Sequence, residues 1–347
     1  MKAARYYGAT DIRIDHDAPE PIPGPRQLLV DVAWSGICGS DLHFWTIGPS
    51  PDRTLGLPST LGHELCGTVR DPPVWSKFKH GDKVMVDPRI CCRGCQACKD
   101  GTSAACSDLG YLGGTTEYGG FGERVVVKES ELYLLPEKIP LEYAAIIEPL
   151  AVVQHAIKVS GVKEWKGKDV LVLGGGPIGF ALLLVLKAAG ADRVIVSEPA
   201  ALRREQVKNL SRGVINPIEE SVEKKCLQLT DGRGAEVVFD CAGVPAGLES
   251  AFDAIRFNGL YVMIAVWEKP LEIPCMKFLA KHITMKGAYI FDDDSMGEVL
   301  EMMASGKLTG YEKMVTSHIG IDDIVDKGFK ELIANKDSHI KILVSPT

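Results

Sequence analysis

Asp169-Val-Leu-Val-Leu-Gly-Gly-Gly-Pro-Ile-Gly179 decides the fold of this chain. Residues 170–173 are a short apolar, branched run of the kind that forms a strand buried on both faces. The glycines that follow keep the spacing G-x-G-x-x-G, and each has a separate reason. Gly174 permits the tight turn out of the strand, and Gly176 lets the backbone approach a pyrophosphate. Gly179 allows the next helix to pack closely, and Pro177 and Ile178 open that helix with its N-terminus toward the negative charge.

Moving outward, Arg193-Val-Ile-Val-Ser197 is a second strand, and Glu198 ends it. A carboxylate there accepts the hydroxyls of an adenosine ribose and repels a 2′-phosphate, so NAD is expected rather than NADP. Arg203 and Arg204 follow on the next helix, where an arginine can receive that phosphate or stack on adenine. Further apolar runs (GVIN, EVVFDCAG, GLYVMIAV, TMKGAYI) alternate with helix-forming stretches, as in a parallel sheet covered on both faces. Six strands make a complete dinucleotide fold whose order reverses at the first strand.

Upstream, from Gln27 to about Leu135, short β-like runs (QLLVDVAW, GTVRD, DKVMVD, GERVVVK, ELYLLP) stand between Gly, Pro and Asp. They predict an irregular β-barrel or sandwich. After Tyr289 come two helix-like stretches, SMGEVLEMMASG and DDIVDKGFKELIANK, and a last strand, IKILVS. We read these as the chain returning to complete the N-terminal part.

The 347 residues suffice for two domains, and 46% apolar with 24% charged residues is ordinary globular composition. A net charge of −7 without a basic stripe speaks against a nucleic-acid partner. No apolar run is long enough to span a bilayer, and MKAARYYGATDIRID lacks a signal-peptide core, so a cytoplasmic protein is expected.

Five of the ten cysteines fall between Cys91 and Cys106. Cys92-x2-Cys95-x2-Cys98-x7-Cys106 offers four thiolates in a glycine-containing loop, a closed tetrahedral shell for structural zinc. Cys91 is spare. Cys66, Cys226, Cys241 and Cys275 have no ligand-like neighbours and read as apolar fillers. A second set is dispersed: Cys38, Ser40 and His43 in GICGSDLH (36–43), His63 and Glu64 in GHE, and Glu148 before Pro149. Cysteine, histidine and glutamate are zinc ligands, and three of them leave a position for water or substrate. Spacing alone does not unite them.

Together these residues resemble the zinc-containing medium-chain dehydrogenase/reductase superfamily, most closely its sorbitol dehydrogenase and (R,R)-butanediol dehydrogenase branch. The marks are GICGSDLH (36–43), LGHE (61–64), GDKV (81–84), the four-cysteine lobe, EPLAV (148–152), VLGGGPIG (172–179), SEP (197–199) and FDCAG (239–243). The resemblance implies an α/β plus β chain: a GroES-like catalytic domain over 1–150 and 289–347, and a Rossmann NAD-binding domain over 151–288. It implies two zinc ions per chain, one structural and one catalytic, the latter on Cys38 and His63. Either Glu64 or Glu148 supplies the next ligand. The nucleotide contacts it implies are Gly174, Gly176, Pro177, Ile178, Gly179, Glu198, Arg203 and Ala242. It also implies a homodimer or homotetramer, formed through edge strands near GLYVMIAV.

The reaction this implies is hydride transfer between NAD and a secondary alcohol, with zinc lowering the pKa of the alcohol. Ser40 takes the proton and passes it through the cofactor ribose to His43, imidazole being suited to a proton step near neutral pH. Polyol dehydrogenases of the branch carry tyrosine after that histidine and an arginine at the position of Ile290; here Phe44 and Ile290 replace them. A pocket of Phe44, Trp45 and Ile290 suits a vicinal diol or hydroxyketone, with a polyol as the alternative. Reduction of an activated alkene would dispense with the relay, and intact Ser40 and His43 disfavour it. FDDDS (291–295) either repels anionic substrates or caps a helix.

Overall fold

The computed structural model describes residues 1–48, 56–267 and 270–346, which fall into two compact units. One unit comprises Met1–Glu148, Asp292–Ser305 and Glu312–Thr347; the other comprises Pro149–Phe291 and Gly306–Tyr311. Residues 149–150, 289–291 and 306–311 thus group with the second unit. No helix among the described residues is long and apolar enough to cross a membrane.

In the second unit six parallel strands run in the order Gly213–Ile215, Arg193–Ser197, Asp169–Leu173, Ala235–Asp240, Ile255–Met263, Thr284–Gly287. The order reverses at Asp169–Leu173, as the glycine motif requires of a Rossmann sheet. That strand is buried at every residue, and the helix Pro177–Ala188 behind it is buried continuously from Gly179 to Leu186. A helix apolar all round belongs inside a layered sheet. Leu171, Leu173, Ile195, Ile215, Val238, Phe252 and Tyr261 form the core. The GLYVMIAV strand is not an edge. It lies between Ala235–Asp240 and Thr284–Gly287, and the outer positions belong to Thr284–Gly287 and Gly213–Ile215.

The first unit is built on a seven-stranded sheet. Gln27–Gly36 sits at its centre, pairing with Glu64–Arg70, Arg124–Lys128 and the C-terminal strand Lys341–Ser345. The chain does return: Val315–Gly320, which the sequence reading passed over, pairs in parallel with Lys341–Ser345. Its residues alternate between partly buried and exposed, only Ile319 being buried, and few are strongly apolar. The N-terminal hairpin Ala3–Gly8 and Asp11–Asp15 is likewise additional. DDIVDKGFKELIANK is helical but irregular, passing from a 3-10 turn through a π-helical segment, Ile324–Lys330, to Glu331–Ala334.

Candidate functional site

Strand pairing assembles the dispersed residues. Gly36 is opposite Glu64 in the antiparallel register, so His63 and Glu64 stand beside the end of Gln27–Gly36. Two residues on, Cys38 is the N-cap of the helix Gly39–Ile47. Asp41, in the first turn of that helix, reaches back to accept the Cys38 N–H at 2.9 Å. The donor atoms of Cys38, His63 and Glu64 lie within 4.8 Å of one another. Glu148 is buried nearby but is not in that group. Gly36 makes room for it all, since a Cβ there would stand 2.1 Å from Glu64 Oε2. Ser40 Oγ is 3.5 Å from His63 Nε2, and Tyr111 packs edge-on to the imidazole.

Asp41, Glu64 and Glu148 are buried around this group together with Lys341, whose ammonium donates to Glu64 Oε1 at 2.7 Å and to the Ile37 carbonyl at 3.1 Å. Burial opposes the charge of Lys341, yet Glu64 and Cys38 outweigh it and hold the ammonium above its ordinary range. His63 is likewise held well above its usual value, burial being outweighed by Cys38, Asp41 and Glu148. Asp41, whose Oδ1 is 3.8 Å from His63 Nδ1, is pushed up by burial. Burial also pushes Glu148 up to about 7, with His63 pulling down and Glu64 pushing further up.

Glu64 Oε2 and His63 Nδ1 are buried without a hydrogen-bond partner. An orphaned buried group costs about 1–3 kcal/mol. A divalent cation on Cys38, His63 and Glu64 would take the place of the proton that His63 is disposed to hold and would give the orphaned donor atoms a partner. Sulfur, nitrogen and oxygen donors suit zinc, and three protein ligands leave a coordination position open.

The four thiols of Cys92, Cys95, Cys98 and Cys106 also converge within 4.8 Å. Backbone N–H groups of Gly94 and Cys95 point at Cys92 Sγ, and those of Cys92 and Asp108 at Cys106 Sγ. Such donors stabilise thiolates. The N–H groups of Cys98 and Ser107 bring Cys95 down to about 6, while burial and the neighbouring thiols push Cys98 up to about 12. Cys91 stays outside the cluster, its thiol donating to the Ser103 carbonyl. Among the remaining cysteines Cys66 and Cys226 are buried fillers and Cys241 is partly buried. Cys275 is not a filler, because it is exposed.

In the second unit the glycine turn has the expected shape. Gly174 adopts φ +91 and donates to the Ser197 carbonyl at 2.8 Å. A Cβ on Gly179 would stand 2.0 Å from the Gly174 carbonyl oxygen, so the close helix–strand approach is real. Glu198 is buried, accepting from Gly175 N–H at 2.6 Å and Ala200 N–H at 2.8 Å. Its carboxylate is thereby fixed beside the turn opened by Pro177 and Ile178. The Arg203 guanidinium lies against Gly176, whereas Arg204 is turned to the carbonyls of Glu198 and Pro199. Ala242 flanks Gly174, its N–H held by Asp240 Oδ1 at 2.9 Å.

Other expected residues sit differently. Phe44 and Trp45 are buried in the core of the first unit, Phe44 against Tyr6 and Trp45 against Phe329, which gives both rings a packing role. His43, on the same helix, is half-buried. Ile290 is half-buried with φ +55, a strained conformation for a β-branched residue. In FDDDS, Asp292 Oδ1 accepts from Ser295 N and Oγ at the start of the helix, Asp293 is ion-paired and Asp294 is exposed. Asp41, Lys341 and Gly36 were not anticipated. Asp41 carries a signal, an acid three residues after a cap, and so does Lys341, a lone ammonium in the apolar strand IKILVS.

Comparison with known proteins agrees with this geometry. Residues 24–137 match the alcohol dehydrogenase GroES-like domain, and 177–305 match the zinc-binding dehydrogenase domain. The chain is 35% identical to (R,R)-butanediol dehydrogenase of Saccharomyces cerevisiae, over 100% of this chain and 98% of that protein. It is 30% identical to sorbitol dehydrogenase of Bacillus subtilis, over 100% and 97%. The crystal structure of 2R,3R-butanediol dehydrogenase from Bacillus subtilis superposes with a TM-score of 0.91 at 34% identity, over 100% of this chain and 99% of that one. With a Cys–His–Glu centre on a GroES-like unit and a glycine turn on a Rossmann unit, the chain belongs to the zinc-containing alcohol dehydrogenases of the medium-chain superfamily, oxidoreductases acting on CH–OH groups.

Proposed function

We propose that this enzyme interconverts a vicinal diol and its hydroxyketone, with NAD as hydride carrier. The convergence of Cys38, His63 and Glu64 within 4.8 Å, with Ser40 beside His63, carries the reading. When bound, zinc supplies the Lewis acidity that lowers the pKa of the substrate hydroxyl, and the nicotinamide accepts hydride. Asp41 faces His63 and braces the helix start at Cys38, while Lys341 fixes Glu64. Ser40 Oγ accepts the hydroxyl proton as it gives up its own, and His43, three residues along the same helix, takes up the relayed proton and passes one to solvent.

Similarity to the butanediol dehydrogenases supports the substrate class, as does Ile290 at the position where the polyol enzymes resemble one another in carrying arginine. Phe44 drops out of that argument, since its ring packs in the core. NAD is favoured because the buried Glu198 carboxylate would meet a 2′-phosphate with like charge. A cytosolic homodimer or homotetramer is what the family resemblance supports.

The test is a panel of 2,3-butanediol stereoisomers, acetoin, sorbitol, xylitol and 2-butanol, run with both nucleotides. One butanediol stereoisomer should exceed sorbitol and xylitol in kcat/KM by at least about tenfold. A polyol preference overturns the substrate class, and an NADP preference overturns the cofactor. His43→Ala should slow oxidation up to about a hundredfold, mainly at low pH, with partial rescue by buffer bases. An unchanged pH–rate profile rules the relay out.

A further inference from the structure

Three separate stretches around the four-cysteine lobe meet at one oxygen. Asp293 Oδ1 lies 3.1 Å from Arg89 Nη1 and 3.4 Å from Arg93 Nη1, and it accepts a hydrogen bond from Ser103 Oγ. Arg89 precedes the lobe, Arg93 sits between Cys92 and Cys95, and Ser103 sits between Cys98 and Cys106. Asp293 itself is placed by the turn in which Asp292 Oδ1 accepts from Ser295 N and Oγ at the start of the helix Ser295–Ala304.

The partners are not casual surface charges. Arg89 is among the largest fully buried side chains, gripping Asp87 through Nε at 3.0 Å and Nη2 at 2.6 Å. Ser103 is fully buried as well. Arg93 holds φ +58, a conformation that non-glycine residues seldom adopt without support. The lobe has little apolar packing of its own, and its helix Gln96–Lys99 buries no residue. Apart from a metal, polar ties must therefore hold its shape.

We propose that Asp293 is a latch that keeps the cysteine lobe in its ligating arrangement, so that metal retention there and order in Asp292–Ser305 are coupled. The proposal rests on the lobe holding zinc. Without the carboxylate, the buried Arg89 guanidinium and the Ser103 hydroxyl lose an acceptor, and Arg93 loses its tie to the returning segment. Coupling of this kind runs both ways: the latch favours the metal, and the metal favours the latched segment.

Asp293→Asn in the full-length protein separates the possibilities, with zinc release to a chromophoric chelator followed alongside hydrogen exchange. Release from the lobe should quicken by about tenfold, the low end for residues that support metal ligands from outside. Exchange should rise both in 92–106 and in 295–304, with near-UV circular dichroism unchanged. Stripping the lobe zinc from the unmutated protein should raise exchange in 295–304. Arg93→Ala, on the more exposed arm, should shift release in the same direction by less. Wild-type release and exchange in Asp293→Asn, with lobe zinc present, overturns the latch alone. A native lobe that retains no zinc overturns the latch together with the structural-zinc reading.

Discussion

Cys38→Ala is expected to lower kcat/KM at least about 10³-fold, because a Lewis acid worth several kcal/mol at the transition state loses one of three protein ligands. The thiol is supported where it stands: it is the N-cap of Gly39–Ile47, and Asp41 holds its backbone N–H. Alanine gives up the side chain's part in a capping box with Asp41, but the Cys38 N–H to Asp41 half remains, so the helix start weakens by about 1 kcal/mol and the variant should still fold. Metal analysis should fall from about two zinc per chain to about one, because Cys92, Cys95, Cys98 and Cys106 form a separate cluster. That pairing of results excludes simple misfolding. Turnover near the native level with two zinc retained would remove the catalytic centre from Cys38.

How much of this was visible in the sequence depended on whether a residue's role is local. The glycine turn is local: Gly174 and Gly179 must be glycine for reasons confined to one strand–turn–helix, and the structure shows both reasons in place. The four-cysteine lobe is also local, and spacing alone chose Cys92 over Cys91. The Cys38–His63–Glu64 group is not. It depends on the pairing of Gly36 with Glu64, which no spacing rule contains, and only the family resemblance brought those residues together beforehand. Lys341 reaches Glu64 across 277 positions of sequence, through a strand that had been read only as closing the sheet. Phe44 and Trp45 erred in the opposite sense. Their place next to His43 in the chain suggested a pocket, yet on a helix successive side chains face different ways, and theirs face the core. The acidic run 291–295 likewise could not be read until Arg89, Arg93 and Ser103 were placed around Asp293.

Lys341→Met should destabilise the first unit by about 3–5 kcal/mol, the range for removing one partner of a buried ion pair. Methionine fills the space, but Glu64 Oε1 loses its only ammonium and Oε2 has no partner to begin with. On the scale for units of this size the midpoint of thermal unfolding should fall on the order of 10 °C. The pH dependence has a definite sign. Lys341 is held above its ordinary pKa, so its contribution is present below the unfolded value, about 10.4, and fades only as pH rises through the folded one. The deficit should therefore be level up to about pH 10 and shrink only above it, as the Lys341 ammonium of the native chain deprotonates. Lys341→Arg, which keeps the charge, should recover part of it. Added zinc should also narrow the gap, because a cation on Glu64 replaces some of the lost attraction. Equal stability of Lys341→Met and the native chain at pH 8, with metal removed from both, would show that Glu64 does not depend on this lysine.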